Sequence, residues 1–265
     1  MSAAALGLAD VTVKVDGATL LSDVSFELGA GALVVVVGPN GAGKTSIFRA
    51  AVGRLRPSSG TVTLAGRPVS AYRGRARAGL VGWLPQESLL ADDNLVLDTV
   101  AAARFRFDEG RATSLRAGRR ALDRVGVGAL AERRLSTLSG GERQRVSIAA
   151  LLAQEAPLLL VDEPANHLDP THQIATYQLL GGLWRDGLGI ACITHDINLV
   201  RHAVSPADEP KVRIVGIKRA RLAFATSFDD PELEAHLARL YEVRVASVEH
   251  FGRRHFIMAA AGTPG

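Results

Sequence analysis

The sequence predicts an α/β fold with a mostly parallel core sheet, an antiparallel β subdomain and a helical insertion. Three observations carry this prediction. Fully apolar runs, such as Leu33–Val37 and Leu158–Val161, alternate with helical patterns, which is typical of buried parallel strands joined by helices. Leu8–Val15 alternates apolar and polar residues, as half-exposed antiparallel strands do. From about Asp92 to Glu155, Ala, Arg and Leu recur at helical spacing instead.

The remaining elements follow from the same patterns in chain order. Leu8–Val15 and Val24–Leu28 are expected to be antiparallel strands beside the strand Leu33–Val37. Further strands are predicted at Thr61–Leu64, Leu80–Leu84, Leu158–Val161 and Leu188–Thr194. Helices are predicted after Glu142, from about Thr171 to Arg185 and near Pro231–Tyr241, with short strands around that last helix. In the insertion, Leu97, Val100, Ala101, Ala121, Leu122 and Val125 are candidates for the apolar face. We divide the chain into 1–91 (β subdomain and first part of the core), 92–155 (helical subdomain), 156–210 (second part of the core) and 211–265 (a C-terminal β/α extension).

Composition places the chain among ordinary globular proteins. Of 265 residues, 47% are hydrophobic and 22% charged, and no apolar run approaches the roughly 18 residues needed to span a bilayer. The N-terminus lacks a basic region before its apolar residues, so no signal peptide is expected. The single cysteine, Cys192, lies in an apolar run and is expected in the core, which fits a reducing cytoplasm.

The small excess of basic over acidic residues does not indicate a nucleic-acid partner. The net charge is +4, from 31 basic and 27 acidic residues. The short arginine clusters lie far apart, and none is interleaved with aromatic residues as a stacking platform for bases would be. We therefore expect these arginines to be solvated surface and predict no nucleic-acid binding.

A glycine-rich loop between an apolar strand and a helix is the most informative motif. Gly38, Pro39, Asn40, Gly41, Ala42, Gly43, Lys44, Thr45 and Ser46 follow Leu33–Val37 and precede the helical run Ile47–Val52. The glycines let successive N–H groups point at phosphate oxygens, and the helix start adds a positive dipole end. Lys44 is expected to reach the β- and γ-phosphates and Thr45 to give a hydroxyl to Mg²⁺. The sequence therefore predicts a P-loop that binds a nucleoside triphosphate.

Two carboxylates end the apolar strand Leu158–Val161. A carboxylate at the end of so apolar a strand calls for a cation, and we expect Asp162 to hold Mg²⁺, usually through water. Glu163 is expected to polarise the attacking water as general base. An acidic turn would explain either carboxylate alone, but not the pair downstream of a P-loop.

A second candidate anion site precedes a helix at Leu138–Glu142. Ser139 would cap the helix, Gly140 and Gly141 would let its backbone approach a phosphate, and Glu142 follows. One P-loop already accounts for one nucleotide, so this site needs a second chain. We expect a head-to-tail dimer in which this turn closes over ATP held by the partner.

Together these motifs resemble those of the nucleotide-binding subunit of ABC transporters, and the resemblance covers nearly the whole chain. Leu138–Glu142 is similar to the signature motif and Leu158–Glu163 to the second Walker motif. Gln86 matches the glutamine that contacts magnesium, Asn166–Asp169 the dimer-facing loop, and His195 the switch histidine near the γ-phosphate. The resemblance implies an ATPase that uses ATP and Mg²⁺. It implies that Glu163, His195 and Lys44 are catalytic, that Thr45, Gln86 and Asp162 hold the metal, and that Asp169 and the signature residues contact nucleotide.

The resemblance also implies partners and a location. These are a second copy of the chain, two membrane-spanning subunits and an extracellular or periplasmic binding protein, with this subunit peripheral on the cytoplasmic face of the inner membrane. The segments around Asn166 and His195, with the C-terminal Leu240–Val243 and Gly252–Phe256, look most like the ATPases of ferric-siderophore, haem and cobalamin importers. An exporter ATPase, or an ABC protein acting on ribosomes or DNA, remains the alternative.

Two positions depart from the family pattern. Val15 stands where the family usually stacks an aromatic ring on adenine, and loss of that face would weaken base contact by roughly 1 kcal/mol. Gly216–Arg221 replaces a common Asp-Gly turn, and we expect only a local difference there.

Overall fold

The computed structural model describes residues 5–86, 93–250 and 252–260. Its centre is a six-stranded sheet in the order β10-β9-β3-β8-β7-β6. The strands are β3 (Leu33–Val37), β6 (Val81–Leu84), β7 (Leu158–Asp162), β8 (Gly189–Ile193), β9 (Val212–Lys218) and β10 (Arg221–Ser227). All pairings from β9 to β6 are parallel, and β10 adds one antiparallel edge strand. Every residue of β3, β7 and β8 is buried, as the apolar runs predict, so the mostly parallel core sheet is confirmed.

The expected place of the first two strands is wrong in one respect. β1 (Leu6–Val15) and β2 (Ala18–Leu28) do not pair with β3 but form a separate antiparallel sheet in the order β2-β1-β4-β5, with β4 (Ser59–Leu64) and β5 (Arg67–Pro68). Their alternating pattern supplies only one apolar face, which suits a strand covered on one side. That face joins Val34 and Val36 of β3 in one hydrophobic cluster. The antiparallel subdomain thus covers the core sheet instead of extending it.

Helices fill the space between and around the sheets. These are α1 (Lys44–Ala51), α2 (Gly74–Ala78), α3 (Val96–Ala102), α4 (Arg111–Arg124), α5 (Gly140–Ala153), α6 (Pro170–Arg185) and α7 (Leu233–Tyr241). Short 3₁₀ helices occur at Val69–Ala71, Gly128–Leu130, Leu135–Thr137, Ile197–His202 and Pro206–Lys211. Ile47 and Phe48 of α1 are buried in the cluster under the antiparallel sheet.

The predicted helical insertion is confirmed as α3, α4 and α5, which pack on one another. Five of its six predicted apolar-face residues are buried, and Leu97 is partly buried. Residue 92, where we start this subdomain, lies outside the described residues. Among the described helices, none is long and apolar enough to cross a bilayer.

The C-terminal segment contains the strands and helix that the sequence predicts. After β10 come α7, β11 (Arg244–His250) and β12 (Arg253–Ala259), the last two forming a two-stranded antiparallel ribbon. Leu233, Leu237 and Leu240 of α7 join the main core. Cys192 is buried in the same core, as expected.

Candidate active site

The carboxyl ends of β3, β6, β7 and β8 meet at one edge of the sheet, as parallel strands require. A cavity of about 600 Å³ lies there. Its lining includes residues 40–46, Gln86, Glu163, Asn166 and His195. Motifs that lie more than 100 residues apart in the sequence therefore share one site, and Thr19 and Leu20 of β2 also line it.

The glycines of the P-loop are required by the local backbone. Gly38, Gly41 and Gly43 have φ values of 151°, 73° and 104°, in the left-handed region that favours glycine. A Cβ at Gly38 would lie 2.1 Å from the carbonyl oxygen of Ile217, and one at Gly43 would lie 2.6 Å from that of Leu20. The loop thus curls between β9 and β2 with no room for side chains at these two positions.

Lys44 opens α1 and is folded back over its own loop. Its side chain is buried (6% exposed), and Nζ donates to the carbonyl oxygens of Gly38 (2.7 Å) and Pro39 (3.0 Å). Burial lowers the pKa of Lys44, while the charges of Glu163 and Asp162 oppose that shift. The ammonium is therefore placed inside the loop, where the charges of Glu163 and Asp162 act on it.

Asp162 ends β7 as a buried carboxylate without hydrogen bonds. The residue is 1% exposed, and neither carboxylate oxygen has a hydrogen-bond partner. Burial raises the pKa of Asp162, whereas the nearby Thr45 hydroxyl and the charge of Lys44 oppose the rise. The Thr45 hydroxyl does not meet hydrogen-bond geometry with either carboxylate oxygen. An ionised carboxylate in such a place is costly unless a cation compensates it. Because carboxylate and hydroxyl oxygens are ligands that Mg²⁺ accepts, the pair Asp162 and Thr45 fits that ion.

Glu163 is the centre of a hydrogen-bonded group in the cavity. Its Oε2 accepts hydrogen bonds from Nε2 of Gln86 (2.9 Å) and Nδ2 of Asn166 (3.2 Å), and its Oε1 meets Nε2 of His195. Its own φ of 50° turns the chain sharply after β7. The structure therefore brings together three residues that the sequence predicts separately, namely Gln86, Glu163 and His195.

Asn166 contacts Glu163, a contact that the sequence analysis does not foresee. Its N–H donates to the carbonyl oxygen of Glu163 at 3.1 Å, so the two residues belong to one tight turn. The spacing of three residues after a strand-end carboxylate was the available signal. Thr19 and Leu20 carry no such signal, because only the folding of β2 against the loop brings them to the cavity.

The signature residues and Asp169 lie elsewhere. Ser139 and Glu142 form a reciprocal capping box at the start of α5, in which each side chain accepts from the backbone N–H of the other. Asp169 caps α6 by accepting from the N–H of His172 at 3.1 Å. A Cβ at Gly141 would lie 2.0 Å from the His172 ring, so the two helix starts pack tightly. The described cavity lining contains no residue of either helix start.

The predicted adenine-side position is also outside the cavity lining. Val15 lies at the end of β1, is 39% exposed and pairs with Ala18 across a tight turn. Leu20, two residues after Ala18 in β2, does line the cavity.

This fold and this site define a P-loop nucleoside triphosphatase. A family model described as "ABC transporter" matches residues 21–166, and the chain belongs to that family. It is 36% identical over 224 residues to the hemin import ATP-binding protein HmuV of Gloeobacter violaceus, covering 80% of this chain and 82% of that protein. It is 38% identical over 199 residues to the cobalamin import ATP-binding protein BtuD of Halobacterium salinarum, covering 73% of this chain and 50% of that protein.

Solved structures agree in fold. One, described as a metal-chelate type ABC transporter in an inward-facing conformation, has a TM-score of 0.80 at 23% identity, covering 97% of this chain and 98% of that chain. Another, a dimeric bacterial ABC transporter cassette, has a TM-score of 0.73 at 24% identity, covering 85% and 99%. The chain is thus an ATP-binding ABC ATPase of the importer type, as its resemblance to importer ATPases implies.

Proposed function

We propose that two copies of this chain, paired head to tail, hydrolyse ATP with Mg²⁺ beneath two membrane-spanning subunits. They would drive import of an iron-siderophore, haem or cobalamin type of compound. The feature of the site that supports this most is the pair of carboxylates, Asp162 and Glu163, at the end of β7 beside the P-loop. One is a buried carboxylate without a partner, and the other is a carboxylate held by three side chains.

The residues at this edge of the sheet take distinct roles in this proposal. The P-loop backbone from Gly38 to Ser46 binds the phosphates, and Lys44 leaves its two carbonyl partners to reach the β- and γ-phosphates. Thr45, Asp162 and Gln86 would hold Mg²⁺, which supplies charge neutralisation at the phosphates. Glu163 orients and deprotonates the attacking water, and His195 contacts the γ-phosphate and holds Glu163.

A second copy is proposed because no residue of the α5 start belongs to the described lining of the cavity within one chain. Backbone N–H groups at a helix start bind anions well. Ser139, Gly140 and Gly141 would contact the γ-phosphate of the partner's nucleotide, with Glu142 completing the cap, and Asp169 would face the same interface. The dimeric arrangement of the related bacterial cassette is consistent with this proposal.

Mixing two inactive variants tests the shared site. Lys44→Ala removes the P-loop cation, and Ser139→Ala removes the signature hydroxyl, so each homodimer should lose most ATPase activity. A mixed dimer contains one composite site with both residues intact, and phosphate release should partly return. Full activity of the Ser139→Ala homodimer would contradict the proposal.

Ser139→Asp separates phosphate contact from helix capping. Aspartate caps helices about as well as serine, whereas alanine loses about 1 kcal/mol. If Ser139 only caps α5, the aspartate variant should be as active as the wild type. If it contacts a phosphate, the added negative charge should inactivate the aspartate variant at least as strongly as alanine does, while the melting temperature stays near that of the wild type.

The membrane partners and the transported compound require the assembled system. The chain should co-purify with a polytopic membrane protein and not with RNA or DNA, from the cytoplasmic face of the membrane. The assembled complex should then take up hemin, a ferric siderophore or cobalamin into vesicles when a binding protein delivers it. The hemin and cobalamin import proteins named above motivate two of these compounds, and the sequence resemblance motivates the ferric siderophore.

A further inference from the structure

Tyr241 connects the C-terminal segment to the P-loop. It is the last residue of α7, and its hydroxyl accepts a hydrogen bond from the backbone N–H of Gly38 at 3.1 Å, across 203 residues of sequence. We propose that Tyr241 is a positioning residue for ATP hydrolysis, which holds Gly38 and thereby keeps the P-loop in its nucleotide-binding form. This inference rests on the nucleotide site proposed above.

Gly38 is the residue through which such a contact would act. Its carbonyl oxygen accepts the hydrogen bond from Nζ of Lys44, and its N–H donates to Tyr241. The Ile217 carbonyl packs so closely against its Cα that no side chain fits. With its N–H fixed, the backbone turn that begins the loop is fixed as well, and with it the position from which Lys44 reaches the phosphates.

The same C-terminal segment also holds the middle of the loop. The N–H of Ala220, in the turn between β9 and β10, donates to the carbonyl oxygen of Ala42 at 3.0 Å. Lys218 beside it donates to the carbonyl oxygen of Arg239 (2.6 Å) and pairs with Glu242 (2.7 Å), which joins this turn to the end of α7. The end of α7, which carries Tyr241, therefore contacts the β9–β10 turn, and that turn is hydrogen-bonded to the P-loop.

The tyrosine hydroxyl is placed to hold the loop without entering the chemistry. Tyr241 is not among the residues that line the nucleotide cavity. Burial raises the pKa of its hydroxyl, so the phenol stays neutral and brings no charge to the P-loop. Losing the hydrogen bond should lower the fraction of chains with a competent loop, and apparent affinity falls with that fraction. The rate of the bound complex should not change.

Tyr241→Phe tests this with Tyr72→Phe as a matched control. The Tyr72 hydroxyl donates to the carbonyl oxygen of Leu64 at 2.9 Å in the antiparallel subdomain, so its removal also costs one partly buried hydrogen bond. We would measure binding of a non-hydrolysable ATP analogue with Mg²⁺ by calorimetry, KM and kcat for ATP, and hydrogen exchange of the ¹⁵N-labelled Gly38 amide.

The expected result is a split between affinity and rate. Tyr241→Phe should raise both the Kd of the analogue and KM about three- to tenfold, as loss of one net hydrogen bond implies. It should leave kcat within twofold and speed exchange at Gly38. Tyr72→Phe should change none of these. Equal affinity and equal exchange in the two variants, or a loss of kcat at unchanged KM, would overturn the inference.

Lys44→Ala in the same assays separates this inference from the proposed site. If Lys44→Ala weakens binding while Tyr241→Phe behaves like Tyr72→Phe, only the role of Tyr241 fails. If Lys44→Ala binds nucleotide as tightly as the wild type, the proposed nucleotide site fails, and the role of Tyr241 fails with it.

Discussion

Replacing Glu163 with glutamine removes a negative charge from the cavity, but the new side chain can still form the hydrogen bonds that Glu163 forms. The carboxylate accepts from Gln86 (2.9 Å) and Asn166 (3.2 Å) on one oxygen and meets His195 on the other. A glutamine can turn its carbonyl oxygen to the two amide donors and its NH₂ group to His195, whose Nε2 then accepts. We therefore expect Glu163→Gln to fold and to bind Mg²⁺-ATP like the wild type.

Turnover should fall because the amide cannot take a proton. Loss of a general base costs about 10²–10⁴-fold, equivalent to about 2.7–5.4 kcal/mol of activation free energy. The Glu163 side chain is only 9% exposed and its oxygens are already occupied, so bulk water is poorly placed to replace the base. Without hydrolysis the ATP-bound dimer should accumulate.

The assay is phosphate release at saturating Mg²⁺-ATP, with size-exclusion chromatography to detect the dimer. Glu234→Gln is the matched control, because the Glu234 carboxylate also accepts two hydrogen bonds, from the N–H and the hydroxyl of Ser247, but lies outside the cavity lining. The control should keep wild-type turnover. If Glu163→Gln keeps turnover within threefold of the wild type, the base is another residue and the assignment is wrong.

Three further changes test other parts of the molecule. Val15→Tyr should tighten ATP binding by no more than about tenfold, consistent with about 1 kcal/mol of stacking, with kcat nearly unchanged; no effect in a binding titration would show that another residue covers the adenine. Asp162→Asn removes a buried, unpartnered carboxylate, so its melting temperature without ligand should exceed that of the wild type, while the extra stabilisation by Mg²⁺ over ATP alone should disappear. Arg104 lowers the pKa of Glu109 from 4.5 to about 2, so the native state binds fewer protons than the unfolded state between these values. This stability is complete above pH 4.5 and is lost as the pH falls toward 2, and Arg104→Gln should flatten that part of a denaturation series measured against pH.

The sequence predicts which residues come together at the candidate site because their motifs follow from backbone geometry. Gly38 and Gly43 cannot carry a side chain next to Ile217 and Leu20, and Asp162 ends a strand with no exposed residue. Such requirements act locally, and a short pattern records them. The expected place of β1 and β2 beside β3 is wrong because an alternating pattern shows that one face of a strand is covered but not what covers it.

Contacts between distant parts of the chain have no recognisable pattern in the sequence. The Tyr241 hydroxyl reaches Gly38 only through the packing of α7, and Leu20 reaches the cavity only through the packing of β2. Tyrosine at a helix end and leucine in a strand are ordinary residues in those settings, so neither differs in sequence from a residue that only fills the core. Their positions near the site depend on tertiary structure alone.

The start of α5 illustrates why one motif can support two interpretations. The N–H groups that a phosphate would bind are the same groups that a capping side chain satisfies, because both ligands are acceptors at the positive end of the helix dipole. Here Ser139 and Glu142 satisfy two of them within the chain. Capping and phosphate binding therefore differ in charge tolerance and not in geometry, since a cap accepts an added carboxylate and a phosphate site rejects it. Ser139→Asp is consequently more informative than Ser139→Ala, because it changes the charge while it keeps the cap.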